Sequence, residues 1–413
     1  MASFNVELGS ATTLVKLFSY PNKKGSTESL ADTILHWVDQ MLARDGFAAK
    51  GACASVRVEG TKYVLDLEGP AGMQGYVERL PRFLENGEAA LGVVATIKGS
   101  KKTWPAWLKK LHPELKDRLW DPLGTGSWRY FLPLGMAMLN QKAVNFFHYP
   151  PMRLLDEMRD YLDDPVPVRL IELMRANGIK TDEEAWLYST VMDGAPIAAP
   201  DDQGTIYGPV SAGKMSVAHL LPIESFSEYQ RAQTQLLLNA SPAADGFTVP
   251  IVVYGSPARD SFNTLWPKAD LSPMKSPTAR VEIIEGMQTP VLCSGHPYAF
   301  YAQVQTTVGA GEMKPEAWPG AVRTMTHDLA VIRWQIALSR NPKLDPAAEW
   351  KRCQAYWGSP HRLETVYALA MHQGSLWYPD PTSLQFTFRL TLDDVGPRAA
   401  AAAGAVRKAA KRG

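Results

Sequence analysis

The chain has 413 residues, 46% of them hydrophobic and 21% charged, which is ordinary globular usage with enough length for two or three domains that each bury a core. A formal net charge of +1 excludes attraction of polyanions by the molecule as a whole and leaves that work to local patches. Cys53, Cys293 and Cys353 lie too far apart to form a disulfide framework or a paired metal-ligand spacing, and a reducing cytoplasm is the expected setting. The opening "MASFNVELGSATTLVKLF" has no basic start followed by an apolar core, and no run approaches the ~18 apolar residues that span a bilayer, so neither export nor membrane insertion is expected.

In chain order, "ATTLVKLFSY" reads as a strand. "STESLADTILHWVDQMLARDG" puts Leu30, Ile34, Trp37 and Met41 on one helical stripe, with Ser26 as N-cap and Gly46 as the stop. "CASVRVEG" and "KYVLDLEG" alternate on either side of the tight "EGTK" turn and predict a hairpin. "GMQGYVERLPRFLENG" is a second helix interrupted by Pro81, and "LGVVATIK" a final strand. The order βαββαβ is that of the ferredoxin-like unit. Some units of that shape bind RNA on the open sheet face, but Phe18, Tyr20 and Tyr63 are the only strand aromatics here and the RNA-recognition spacing is absent. A structural or dimerising unit is the favoured expectation.

Residues 98–150 form a basic, Trp-rich connector. A helical block at 151–193 comprises "PPMRLLDEMRDYLDD", "PVRLIELMRANG" and "TDEEAWLYSTVMDG", the last opened by Thr181 and Glu184 at capping-box spacing. Gly194 to Gly204 is an internal boundary. From 205 to 396 a mixed α/β domain is expected, with a helix near Ser225 to Asn239, strands "TVPIVVYGSP" and "TPVLCSGHP", long helices at Val322–Ser339, Ala347–Trp357 and Arg362–His372, and the alternating strand "LQFTFRLTL". A basic Ala-rich tail occupies 397–413. The fold class is thus α+β or mixed α/β: a ferredoxin-like domain at 1–97 followed by a larger mixed α/β body.

Gly208, Gly213 and Lys214 match seven positions of a phosphate loop, in which backbone amides cradle the phosphates. The eighth position needs a Ser or Thr hydroxyl for magnesium and carries Met215; Ser216 comes one residue late, and Pro222 halts any following helix. This segment reads as a loop, and no cofactor is expected.

Two strand ends carry polar turns. In "TPVLCSGHPYAFYAQVQ", Gly295 permits a sharp turn and Pro297 pre-sets a helix start, which puts His296 at the carboxyl end of a strand. "TVPIVVYGSPARDS" has the same form, with Gly255, Ser256, Pro257, Arg259 and Asp260 at its turn. Carboxyl ends of strands are where open α/β sheets bind ligands, and a site between the two turns is expected. A neutral histidine there can act as acid or base, or donate to a developing oxyanion. The His-Pro turn after a strand is similar to one motif of uracil-DNA glycosylases, a resemblance that implies a place for His296 against a flipped base. It covers a few residues only, and the acidic water-positioning motif of those enzymes is not recognisable upstream.

Cys293 and His296 are three apart, as in some zinc sites, but no second ligand pair accompanies them. Cys353 with His361, or His327 with Asp328, could join only through the fold, and no metal site is expected. Burial inside its strand would raise the pKa of Cys293 and make it a poor nucleophile. His361, Glu364 and His372 lack zincin spacing and read as a solvated helix face.

Between 98 and 120, Lys98, Lys101, Lys102, Lys109, Lys110, Lys116 and Arg118 face only Glu114 and Asp117, a local charge of +5. Trp104, Trp107 and Trp120 interleave with them, the composition of a groove that neutralises phosphates and stacks bases. Arg398, Arg407, Lys408, Lys411 and Arg412 add a second basic element in the tail. The leading expectation is a nucleic-acid-binding protein, DNA or RNA, without chemistry of its own and working beside other subunits in a nucleoprotein assembly. The alternatives are an enzyme centred on His296 acting on a nucleotide or nucleobase bond, and a scaffold for protein contacts.

Overall fold

The computed structural model of the chain describes residues 1–10, 14, 29–44, 46–82, 84–85, 129–130, 141–147, 165–181, 184–185, 187–188, 190–194, 197–198, 227–228, 230–232, 234–235, 238, 246–269, 271, 279–297, 299–300 and 318–377. Helices and sheets are mixed, and among the described residues no helix is long and apolar enough to cross a membrane.

The first strand is β1 (Ala2–Ser10), earlier than expected. Its strict alternation settles the matter: Val6 and Leu8 are buried while Ser3, Asn5 and Glu7 face out. Within the expected strand at 11–20 only Leu14 is described, and it is helical and buried. Helix α1 (Leu30–Arg44) buries Ile34, Val38, Met41 and Leu42. Its N-cap is Ser29 rather than Ser26: the Asp32 amide donates to Ser29 Oγ at 3.2 Å and the Ser29 amide donates to Asp32 Oδ2 at 3.0 Å. The Ser29 hydroxyl, donating to Asp32 Oδ2 at 2.6 Å, and the Ser29 amide hold the exposed Asp32 carboxyl below its ordinary pKa. Gly46, at φ +70, ends the helix as expected.

The hairpin of β2 (Cys53–Glu59) and β3 (Lys62–Gly69) forms as read, and β3 pairs antiparallel with both β1 and β2 in the order β1-β3-β2. Residues 74–82 are helical through Pro81. The expected strand at 91–98 lies outside the described residues. Among the described residues the outer face of this sheet carries Asn5, Glu7, Arg57, Glu59, Asp66 and Glu68 and no aromatic side chain, which suits solvent and not stacked bases.

The short strand β4 (Arg129–Tyr130) pairs with β7 (Ile197–Ala198). The central sheet has five strands in the order β6-β5-β8-β10-β9, with β5 (Val144–Phe147), β6 (Thr190–Asp193), β8 (Ile251–Tyr254) and β10 (Met287–Ser294) mutually parallel and β9 (Ala279–Ile284) antiparallel at the edge. Three of these strands are departures from expectation: β5 lies in the connector, β6 at the end of the helical block, and β9 was not anticipated. β5 and β6 are short and buried, which removes the alternation that marks a strand, whereas β9 at the edge exposes the apolar Val281 and Ile283. The β9–β10 turn, Glu285 at φ +47 and Gly286 at φ +81, is a two-residue hairpin turn. Glu285 accepts from Arg231 Nε and Trp266 Nε1 at 2.7 and 2.9 Å, which stabilises its uncommon backbone.

Successive residues of the central strands belong to opposite layers. Val144, Phe146, Ile251, Val253 and Val291 join a core with α3 (Gly255–Leu265) and the N-terminal sheet. Phe147, Val252, Tyr254 and Leu292 join a second core with α2 (Pro165–Ala176), α4 (Trp318–Arg340), α5 (Pro346–Trp357) and α6 (Leu363–Trp377). All three long C-terminal helices form where expected, although α4 begins at Trp318 and not Val322 and α6 runs on to Trp377 past His372.

Three buried polar contacts tie these helices together. Asn145 donates to the Tyr188 and Thr190 carbonyls at 2.9 and 3.2 Å and accepts from Gln335 Nε2 at 2.8 Å. Arg169 on α2 forms a buried ion pair with Asp328 on α4. Glu172 accepts from Gln373 Nε2 at 2.7 Å, with His372 Nε2 4.0 Å away. His372 therefore lies between helices and not on the solvated face expected for it; His361 and Glu364 are exposed.

Replacing Asp328 by Ala leaves the Arg169 guanidinium buried without its carboxylate, and denaturant unfolding should report a loss of about 3–5 kcal/mol. Burial raises the Glu172 pKa to about 7, with the Gln373 bond opposing. Its carboxyl is therefore favoured neutral in the folded protein, and stability should be fullest below the unfolded pKa near 4.5 and fall as pH rises through 7. The swing is at most about 3 kcal/mol, and Glu172→Gln should flatten it in unfolding curves recorded from pH 4 to 8.

Candidate site at the carboxyl rim of the central sheet

The chain runs from β5 outward to β6, then crosses back to β8 and on to β10. The order reverses between β5 and β8, and an open α/β sheet binds ligands outside the carboxyl ends at such a point. Phe147 ends β5, Tyr254 ends β8 and Ser294 ends β10.

Both turns expected at strand ends stand side by side there, because β8 and β10 are adjacent and parallel with Ser294 opposite Tyr254. Gly255 has φ +86, and a Cβ at that position would lie 3.5 Å from the His296 Cβ. The left-handed conformation is what calls for glycine, and an added methyl group would meet His296 only at ordinary van der Waals distance. Helix α3 starts at Gly255 with no side-chain cap and no acid in its first turn, so its amide end faces the rim beside His296. Arg259 is paired with Asp260 at 2.8 Å one turn further on.

His296 stands on an aromatic stack. Its ring meets Phe147 edge-on at 5.3 Å, and Phe147 lies nearly parallel to Tyr254 with centroids 4.9 Å apart. The histidine opens to solvent, but the crowding of its ring disfavours the imidazolium and lowers the pKa to about 4. Access of water limits that shift; a neutral ring at pH 7 follows either way.

Behind the rim, Ser294 Oγ and His327 Nε2 are 3.0 Å apart, and burial also lowers the His327 pKa, with the neighbouring Asp328 opposing. The buried Tyr254 hydroxyl makes no hydrogen bond among the described residues, and burial and the nearby Asp328 raise its pKa. Cys293 sits half-buried on the opposite face, its pKa raised to about 11 by burial, and is a poor nucleophile as expected.

Sequence reasoning placed His296 and the 255–260 turn. It did not find Phe147, whose strand was read as connector, nor the Ser294–His327 pair, which links residues 33 apart. Among the described residues no three His, Cys, Asp or Glu side chains form a metal-binding group; Cys353 approaches Glu349 and not His361. The segment 207–216, the basic segment from Lys98 to Trp120 and the tail residues Arg398 to Arg412 lie outside the described residues. No family model, curated protein or solved structure matches the chain.

Gly255→Ala forces a side chain into a left-handed residue against His296. A stability loss of about 1–2 kcal/mol is expected in denaturant unfolding.

Proposed function

We propose that the protein is an enzyme acting on a nucleotide or on a nucleobase bond, with His296 donating a hydrogen bond from a neutral imidazole to the departing base. The observation that carries this reading is the position of His296: propped on the Phe147–Tyr254 stack at the point of strand reversal, beside the uncapped amide end of α3.

Cleavage of a glycosidic bond sends the bonding electron pair to the base, where it collects on a ring carbonyl oxygen. A neutral N–H held at that oxygen stabilises the charge most when it is greatest, in the transition state. Water adds to the sugar carbon and gives up its proton to solvent. The amide end of α3 suits a phosphate of the same ligand. The likeness of the His296-Pro297 turn to a glycosylase motif agrees with this chemistry.

Within the same reading, residues 1–97 are a ferredoxin-like unit of which three strands are paired as β1-β3-β2. The lysines of 98–118 and the tail residues Arg407, Lys408, Lys411 and Arg412 supply contacts to nucleic-acid phosphates, while Trp104 and Trp107 stack bases. Partner subunits and a cytoplasmic setting belong to this proposal as well.

Oligonucleotides carrying each standard base or uracil, single-stranded and duplex, should be incubated with the protein and treated with alkali to cut at abasic positions. Strand scission is expected with at least one of them, reduced about 100-fold or more in His296→Ala. A wild-type protein that releases no base from any of these, or a His296→Ala variant that keeps the full rate, refutes the assignment.

A further inference from the structure

We infer that the outer surface around Arg333, Tyr356 and Arg362 is a docking site for the phosphodiester backbone of nucleic acid. The guanidinium carbon of Arg333 lies 3.7 Å from the centre of the Tyr356 ring, and that of Arg362 lies 4.4 Å from it. The two cations are consequently within about 8 Å of each other. Neither guanidinium makes a hydrogen bond or ion pair among the described residues, and both side chains belong to half-buried residues.

Two like charges gathered on one ring repel each other, and the ring's π face offsets only part of that. An anion between or beside them removes the repulsion. A guanidinium offers a planar fork of N–H donors that suits phosphate oxygens, and stacking on Tyr356 holds each fork in place with its edge free to donate.

The surroundings carry the same sign. From 333 to 362 the chain bears Arg333, Arg340, Lys343, Lys351, Arg352 and Arg362 against Asp345 and Glu349. Glu349 is already engaged by Arg352 at 3.1 Å, and Asp345 caps α5 through the Ala347 and Ala348 amides. The segment 333–362 is thus net basic, unlike the outer face of the N-terminal sheet with its Glu7, Glu59, Asp66 and Glu68.

Position connects the surface to the rim. Trp350 on α5 meets the His327 ring edge-on at 5.4 Å, and His327 bonds Ser294, two residues before His296. Tyr356 is six residues beyond Trp350, roughly 9 Å along the helix. The inference rests on the nucleobase-directed reading above.

The test is fluorescence anisotropy of a labelled single-stranded oligonucleotide with the full chain at 50 and 200 mM salt. Wild-type protein should bind with an affinity that falls with salt. Arg333→Gln with Arg362→Gln should weaken binding about tenfold or more at the lower salt and reduce the slope of log affinity against log salt by about 1.4, two contacts at ~0.7 each. Arg333→Lys with Arg362→Lys, which keeps both charges, should retain the slope and shows that the fold tolerates substitution there. Unchanged affinity and slope in the double Gln variant, or no binding by the wild type, overturns the inference. Binding as expected without base release by the wild type would sink the reading above and leave this surface standing.

Discussion

The central strands are covered on both faces, and the rest of the molecule follows from that. Ile251, Val252, Val253 and Tyr254 are all buried, with alternate residues committed to different cores. A polar group in such a strand must find its partner within the protein or not be there at all. Asn145 meets the condition with three hydrogen bonds, two to carbonyls near β6 and one from Gln335 on α4. Thr289, buried within β10, donates to the Met287 carbonyl at 3.2 Å, while Ser294 lies at the strand end. At the rim, polar groups can be placed without being buried among apolar side chains.

Helix α4 is the element that makes the rim more than a row of turns. Its neighbouring residues His327 and Asp328 look different ways, one to Ser294 at the end of β10 and the other to Arg169 on α2. Two turns further, Gln335 reaches Asn145. One helix thus fixes two strands and a second helix through directional bonds, which apolar packing alone would leave free to slide. Asn177 adds a fourth tie, donating to the Leu329 carbonyl and accepting from Trp357.

How far the residues by themselves disclosed this depends on how local the cause was. The β2–β3 hairpin, the Gly46 stop of α1 and the spans of α4, α5 and α6 are set by alternation, by helical periodicity and by the punctuation of Gly and Pro, all short-range properties. The polar turns at 255–260 and 294–297 were legible for the same reason: an apolar run ending in Gly and Pro declares a strand end without reference to the rest of the chain. The cap of α1 was misplaced by three residues because Ser26 and Ser29 are both plausible caps, and only the reciprocal bonds with Asp32 choose between them.

Composition and local pattern therefore determined a globular mixed α/β protein, three long C-terminal helices, and a histidine at the end of a strand. Tertiary structure decided that β5 and β6 are strands at all, that β8 and β10 lie side by side so that Gly255 meets His296, and that Phe147, Arg333 and Arg362 acquire their neighbours. Strand order and the pairing of distant side chains depend on contacts between segments far apart in the chain, and no short window of residues contains both partners of such a contact.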